Sequence, residues 1–121
     1  MNIIFNEKGN SKIAIIKSDE VLISSGQDAL DLMSDISYWH QCQKMILRKE
    51  NITEDFFKLS TGLAGEILQK YANYGMKLGI VGDFSGYSSK PLKDFIYESN
   101  RGCQLFFLPD ENEIIDIMHN L

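Results

Sequence analysis

The sequence predicts a single α/β domain: a mixed sheet of about five strands with about four helices. Three observations carry that expectation. Short apolar runs alternate with amphipathic stretches of helical period. One strand–helix–strand unit, Lys44 to Phe84, holds two short apolar strands separated by a single helix, the pattern of a parallel pair with a right-handed crossover. The chain has 121 residues, of which 44% are hydrophobic and 24% charged, enough for one domain with a core of its own.

Ile3–Phe5 and Lys12–Lys17 are apolar runs separated by the polar, glycine-containing Asn6–Asn10, and together they read as a β-hairpin. Ile13-Ala14-Ile15-Ile16 is apolar throughout, as in an interior strand. Val21-Leu22-Ile23 is a candidate short strand after Asp19-Glu20. A helix is expected from Gln27 or Asp28, with Ala29, Leu30, Leu32, Met33 and Ile36 on its apolar face. Ser25 and Asp28 have capping-box spacing, with a shorter acid than usual. Ser37–Gln41 has no regular pattern, and Tyr38 and Trp39 are expected to cover one end of the core.

Lys44–Lys49 is the next strand. In the loop behind it, Thr53 precedes Glu54 and Asp55 as a cap would, and Phe56 and Phe57 are expected to anchor the loop in the core. The central helix is expected from about Gly62 to Tyr74, on the stripe Leu63, Ala64, Ile67, Leu68, Tyr71 and Ala72. Gly65 inside it costs about 1 kcal/mol against alanine and suggests close packing on the sheet. Lys77–Gly82 is the second strand of the unit. Ser88-Ser89-Lys90-Pro91 signals another helix start, Gln104–Leu108 reads as the last strand, and Asp110 begins a final helix.

The net charge of −5 argues against a nucleic-acid partner, because neutralising phosphates needs a basic face. No apolar run reaches the length of a membrane span, and Met1–Glu7 lacks a basic flank followed by an apolar core. No membrane partner is therefore expected, and the expected location is cytoplasmic. Cys42 and Cys103 are far apart and are read as structural thiols. His40-x-Cys42 offers two ligands where a zinc site wants three or four, so no metal or other cofactor is expected.

Leu59-Ser60-Thr61-Gly62-Leu63 opens the central helix and is the candidate site. Thr61 there reads either as the helix N-cap or as a modifiable hydroxyl, since a helix N-terminus stabilises an added phosphate. Read as a cap, Thr61 is replaceable by aspartate at little cost. Gly62-x-x-Gly65 has the small-residue spacing of a short anion-binding turn, without the lysine of a P-loop.

The strand, then Ser60-Thr61-Gly62-Leu63 opening a helix, then Lys77-Leu78-Gly79-Ile80-Val81-Gly82, resembles the core of the STAS domain, the fold of anti-sigma-factor antagonists. More widely, Lys12–Ile23, Ala29–Met33, Lys49–Phe57, Thr61–Lys70, Lys77–Phe84 and Ser89–Asn100 resemble the bacterial domain of unknown function DUF4180, a STAS-like family. The STAS resemblance implies a non-enzymatic regulatory module that binds a protein partner, among them a kinase-like regulator. It places Thr61 as the phosphoacceptor, Ser60 as the hydroxyl before it and Gly62 as the glycine. Leu59 stands where STAS antagonists carry Asp, and Asp55 is the nearest preceding acid. The expected working surface is the loop Asn51–Gly62 with the first turns of the helix, including Leu63 and Gly65.

A rival reading uses Asp19, Glu20 and Asp83, each following a strand, as a receiver-like, divalent-metal phosphoacceptor pocket. The lysine expected after the last strand is absent from Leu108-Pro109-Asp110. Ser85 has no histidine in a recognisable triad motif, so nucleophilic catalysis, and with it an enzyme, is not expected.

Overall fold

In the computed structural model, which describes residues 1–121, five strands form one mixed sheet in the order β1-β2-β3-β4-β5. These are β1 (Asn2–Lys8), β2 (Ser11–Lys17), β3 (Lys44–Arg48), β4 (Lys77–Val81) and β5 (Leu105–Leu108). The α-helices are α1 (Gly26–Ser34), α2 (Leu63–Asn73), α3 (Lys90–Asn100) and α4 (Glu111–His119). β1 and β2 pair antiparallel across a two-residue turn, Gly9-Asn10, with Gly9 at φ +60°. Every later pairing is parallel, and β3 and β4 are neighbours in register from Lys44↔Lys77 to Arg48↔Val81.

Side chains alternate across a strand, so each run divides between two faces. Ala14, Ile16, Met45, Leu47, Leu78, Ile80, Leu105 and Phe107 pack with α1, α2 and α3 in the larger core. Ile13, Ile15, Ile46 and Phe106 face the other way and pack under Ile114, Ile115 and Met118 of α4. Three successive parallel crossovers, each moving one strand along the sheet in the same direction, put three helices on one face, so all three share one hand. The strand order never reverses. The crevice that a reversal opens at the strand C-termini of doubly wound sheets is therefore missing here.

The caps follow the sequence. The Ser25 hydroxyl accepts from Asp28 N at 3.1 Å, Ser89 from Leu92 N, and the Asp110 carboxylate from Asn112 N. Asp28 in turn accepts from Ser24 N rather than from the cap residue's own amide. Two expectations are corrected. Val21–Ile23 is no strand; it makes one parallel bridge, Ile23↔Ile52. The segment after α1 is regular: Asp35–Trp39 continues the helix as a π-turn.

The Tyr71 hydroxyl donates to Ala29 O at 2.8 Å, tying α2 to α1 inside the core, and burial raises its pKa far above that of a free phenol. Tyr71→Phe is expected to lose about 1 kcal/mol in urea unfolding, the usual value of one buried neutral hydrogen bond. An unchanged midpoint would mean the bond is not formed.

Candidate functional site

The loop between β3 and α2 is a series of short 3₁₀ turns, Lys49–Asn51, Glu54–Phe57 and Leu59–Thr61. Three devices hold it. Asn51 is fully buried; its Oδ1 accepts from Arg48 N and its Nδ2 donates to Ser18 O and Glu20 O, each at 2.9 Å. Its carbonyl accepts from Leu22 N and Ile23 N, so this one residue joins the loops after β2 and β3. Phe56 and Phe57 are buried, and Phe57 stacks on Tyr87 with centroids 5.3 Å apart. The Tyr87 hydroxyl donates to Glu54, and Lys49 Nζ lies 4.7 Å from the Tyr87 ring centroid. Desolvation first, then the Glu54 carboxylate, raises the Tyr87 pKa well above the usual phenol range.

The third device is Thr61. Its side chain is exposed, yet its hydroxyl lies 2.7 Å from Asp55 O and 2.8 Å from Lys58 O, with its donor turned to these carbonyls. Oγ1 also accepts from Leu63 N at 3.3 Å. The N-cap reading of Thr61 is corrected by one residue: Gly62 occupies the cap position at φ +78°, a left-handed geometry suited to glycine, and no side chain caps α2 there. Thr61 therefore fastens the turn before the helix. An aspartate could accept the Leu63 amide but would set a carboxylate against two carbonyls, so its expected tolerance is corrected too.

Ser60 is exposed beside Thr61, Asp55 is exposed with its carbonyl on Thr61, and Leu63 is half-buried at the helix start. These residues do form one surface. Gly65 belongs to its exposed face, where a Cβ would meet nothing within 4 Å, so the expected packing of this glycine on the sheet is corrected.

Of the rival acids, Asp19 and Asp83 take separate partners, and the exposed Glu20 bonds only through its backbone. Asp19 pairs with Arg48 at 3.2 Å, while Asp83 accepts from the Ser85 hydroxyl at 2.6 Å and the Ser85 amide at 2.9 Å. Those two bonds from Ser85 hold the Asp83 carboxyl below the usual range, with a smaller pull from Lys49. No three His, Cys, Asp or Glu side chains gather in a metal-binding group. Arg48 also donates to Ser18 O. Between these loops lies an open hollow of about 340 Å³ lined by Val21, Lys49, Glu50, Ile52, Thr53 and Glu54.

Two features escape sequence reasoning. Tyr38 and Trp39 are 73% and 72% exposed and pack edge to face at 4.9 Å, instead of covering the core. The second lies at the other end of the strands. Lys44 Nζ donates to Ser11 Oγ at 2.8 Å, Ser11 Oγ meets His119 Nδ1 at 2.7 Å, and His119 Nε2 meets Asn6 Oδ1 at 2.7 Å. With Nε2 donating to Asn6 and Nδ1 accepting from Ser11, the ring is neutral. Partial burial, then the ammonium groups of Lys44 and Lys8, hold the His119 pKa below its ordinary value against the opposing pull of Asp116. Ser11 and His119 are 108 positions apart, so no local motif announces the pair.

The depressed pKa has a definite sign for stability. The unfolded chain takes up this proton first, so the contribution of His119 is complete above about pH 6.5 and is lost as pH falls through its lower folded value. His119→Gln is expected to flatten the acid limb of the urea midpoint against pH below about 6.5. An acid limb identical to wild type would contradict this.

Fold and site together define a singly wound α/β domain, its parallel strands covered by helices on both faces, with a fastened loop platform beyond β3. The model of the family described as Domain of unknown function (DUF4180) matches residues 8–118, and the chain belongs to that family. No curated protein and no solved structure matches it. No helix is long and apolar enough to cross a membrane.

Proposed function

We propose that the protein is a non-enzymatic, STAS-like regulatory module that binds a protein partner through the loop Asn51–Gly62 and the first turns of α2, and that modification of Thr61 or Ser60 switches this surface. One observation carries the reading: the exposed Thr61 hydroxyl is also the bond that fastens the loop to Asp55 and Lys58. A phosphate on that oxygen removes the donor and sets roughly −1.5 to −2 charges against two carbonyl oxygens. The turn Glu54–Thr61 would have to rearrange, changing the shape of the surface along with its charge. The parallel β3–α2–β4 unit and the left-handed Gly62 support the STAS-like comparison, with Leu59 in the acidic position of the resembled motif.

Affinity capture from native lysate, with mass spectrometry of the bound proteins and of the Ser60–Thr61 peptide, supplies the partner for the test. Thr61→Ser keeps the donor and is expected to bind that partner as wild type does. Thr61→Asp is expected to lose about 1–2 kcal/mol of stability, having traded a donor for a charge facing carbonyls, and to bind the partner differently. Equal binding by wild type, Thr61→Ser and Thr61→Asp would reject the switch.

A further inference from the structure

At the end of the sheet opposite the loop platform, the turn Gly9-Asn10, the start of β3 and the end of α4 border an open pocket of about 310 Å³. It is lined by Lys8, Asn10, Ser11, Lys44, His119 and Leu121. A smaller hollow of about 180 Å³ shares Asn10, Ser11 and Lys44 with it and adds Lys12. No carboxylate side chain lines either hollow. None of the four ion pairs of the chain includes Lys8, Lys12 or Lys44. In a chain of net charge −5 this is a local reversal of sign. Lys44 also donates to Met118 O at 2.7 Å, which offsets the negative end of α4.

We propose that this pocket binds a small phosphate-bearing ligand, held by the ammonium groups of Lys8 and Lys44 with the Asn10 side-chain amide as hydrogen-bonding partner. The lysines favour a tetrahedral oxyanion over a planar carboxylate, because ammonium groups act as point charges with rotatable donors and no guanidinium fork is present. The volume admits more than the bare anion. The Ser11–His119–Asn6 chain superficially offers a nucleophile and a base. Lys44 instead donates to the same serine oxygen, and no carboxylate stands behind the imidazole to support its protonation. The chain is better suited to hold the pocket and to sense charge in it. Lys8, Lys44 and Asp116 are the charged groups acting on His119. A bound dianion screens the two cations, so anion binding and His119 protonation favour each other, and by linkage the effect is mutual.

The chain has only two histidines, so imidazole NMR resolves both. Titration with sodium phosphate, and with non-titrating sulfate, at ionic strength fixed by chloride is expected to shift His119 saturably and leave His40 in place. The midpoint of His119 protonation is expected to rise in the bound form. Lys8→Met, on the exposed side of the pocket, is expected to weaken phosphate binding at least about fivefold, the factor corresponding to about 1 kcal/mol. Lys44→Met is expected to abolish saturation. A linear response equal to that with chloride, or unchanged binding in a folded Lys8→Met protein, would overturn the proposal. Sedimentation with phosphatidic acid vesicles, without saturable binding of free phosphate, would overturn the assignment to a free small ligand.

Discussion

Asn51→Ala is expected to lower the unfolding free energy by about 2 kcal/mol or more, because each buried polar group left without a partner costs roughly 1–3 kcal/mol. Two groups lose their partner at once, the Arg48 amide and the Glu20 carbonyl, while the Ser18 carbonyl keeps only its bond from Arg48. Arg48 Nε is already buried without a partner beside them, so the local hydrogen bonding has no reserve. The loss is not confined to stability. Asn51 is the joint between the loops after β2 and β3, and the platform loop begins at it. Asn51→Asp separates the two halves of the side chain. Its first oxygen still accepts the Arg48 amide, but its second faces two carbonyls in a buried site, which raises the folded-state pKa of that carboxyl. The variant is therefore expected to recover stability relative to wild type as pH falls toward about 4, the ordinary aspartate value. Urea unfolding at neutral and acid pH measures both effects. A loss under about 1 kcal/mol for Asn51→Ala would show that solvent reaches these groups.

The second large effect is expected at Gly79. A Cβ there would lie 2.5 Å from Ile114 Cγ2, 3.3 Å from Met118 Cε and 3.5 Å from Ile46 Cγ1. Gly79 sits in the middle of β4 under α4, and the nearest of these atoms belongs to a β-branched side chain with little freedom to turn aside. Gly79→Ala is expected to cost about 1–3 kcal/mol as overpacking, and Gly79→Val more. The cause is testable with a double-mutant cycle. Ile114→Ala removes the clashing methyl, so the double variant is expected to be more stable than the two separate losses predict, by about 1 kcal/mol. Additive losses would place the cost of Gly79→Ala in β4 itself. A displaced α4 also carries Met118 and His119, so Gly79→Ala is expected to disturb the phosphate pocket while leaving the platform loop unaffected.

These two residues show where the sequence is legible. Binary pattern and capping chemistry identify the hairpin, the parallel unit and the starts of α1, α3 and α4, because Ser25, Ser89 and Asp110 act within three residues of themselves. The anchoring of Phe56 and Phe57 follows from their apolarity in a polar loop. The two glycines read the other way round. Gly65 lies in a helix and suggests close packing, but it faces open space, while Gly79 lies in an ordinary apolar run and is the one pressed against a helix. Nothing within β4 names α4 as its cover. The π-turn is likewise silent: one added residue per turn leaves no period to detect, and it lifts Tyr38 and Trp39 into solvent. The site divides in the same way. Ser60, Thr61 and Gly62 announce themselves as a hydroxyl pair and a glycine before a helix. That Thr61 points back to Asp55 and Lys58 depends on the left-handed turn at Gly62 and on how the preceding 3₁₀ turns stack. The Lys44–Ser11–His119–Asn6 chain requires the fold before any of it can be seen.

The most direct test of the proposed function locates the working surface. An isotope-labelled chain is titrated with the captured partner while backbone amide resonances are followed. The account predicts that shifted or broadened amides concentrate in Thr53–Glu66, with Ser60, Thr61 and Leu63 among the most affected, and that Thr61→Asp changes this footprint at equal concentration. Perturbations concentrated on Tyr38, Trp39 and Tyr74 instead, with Thr53–Glu66 silent, would contradict it.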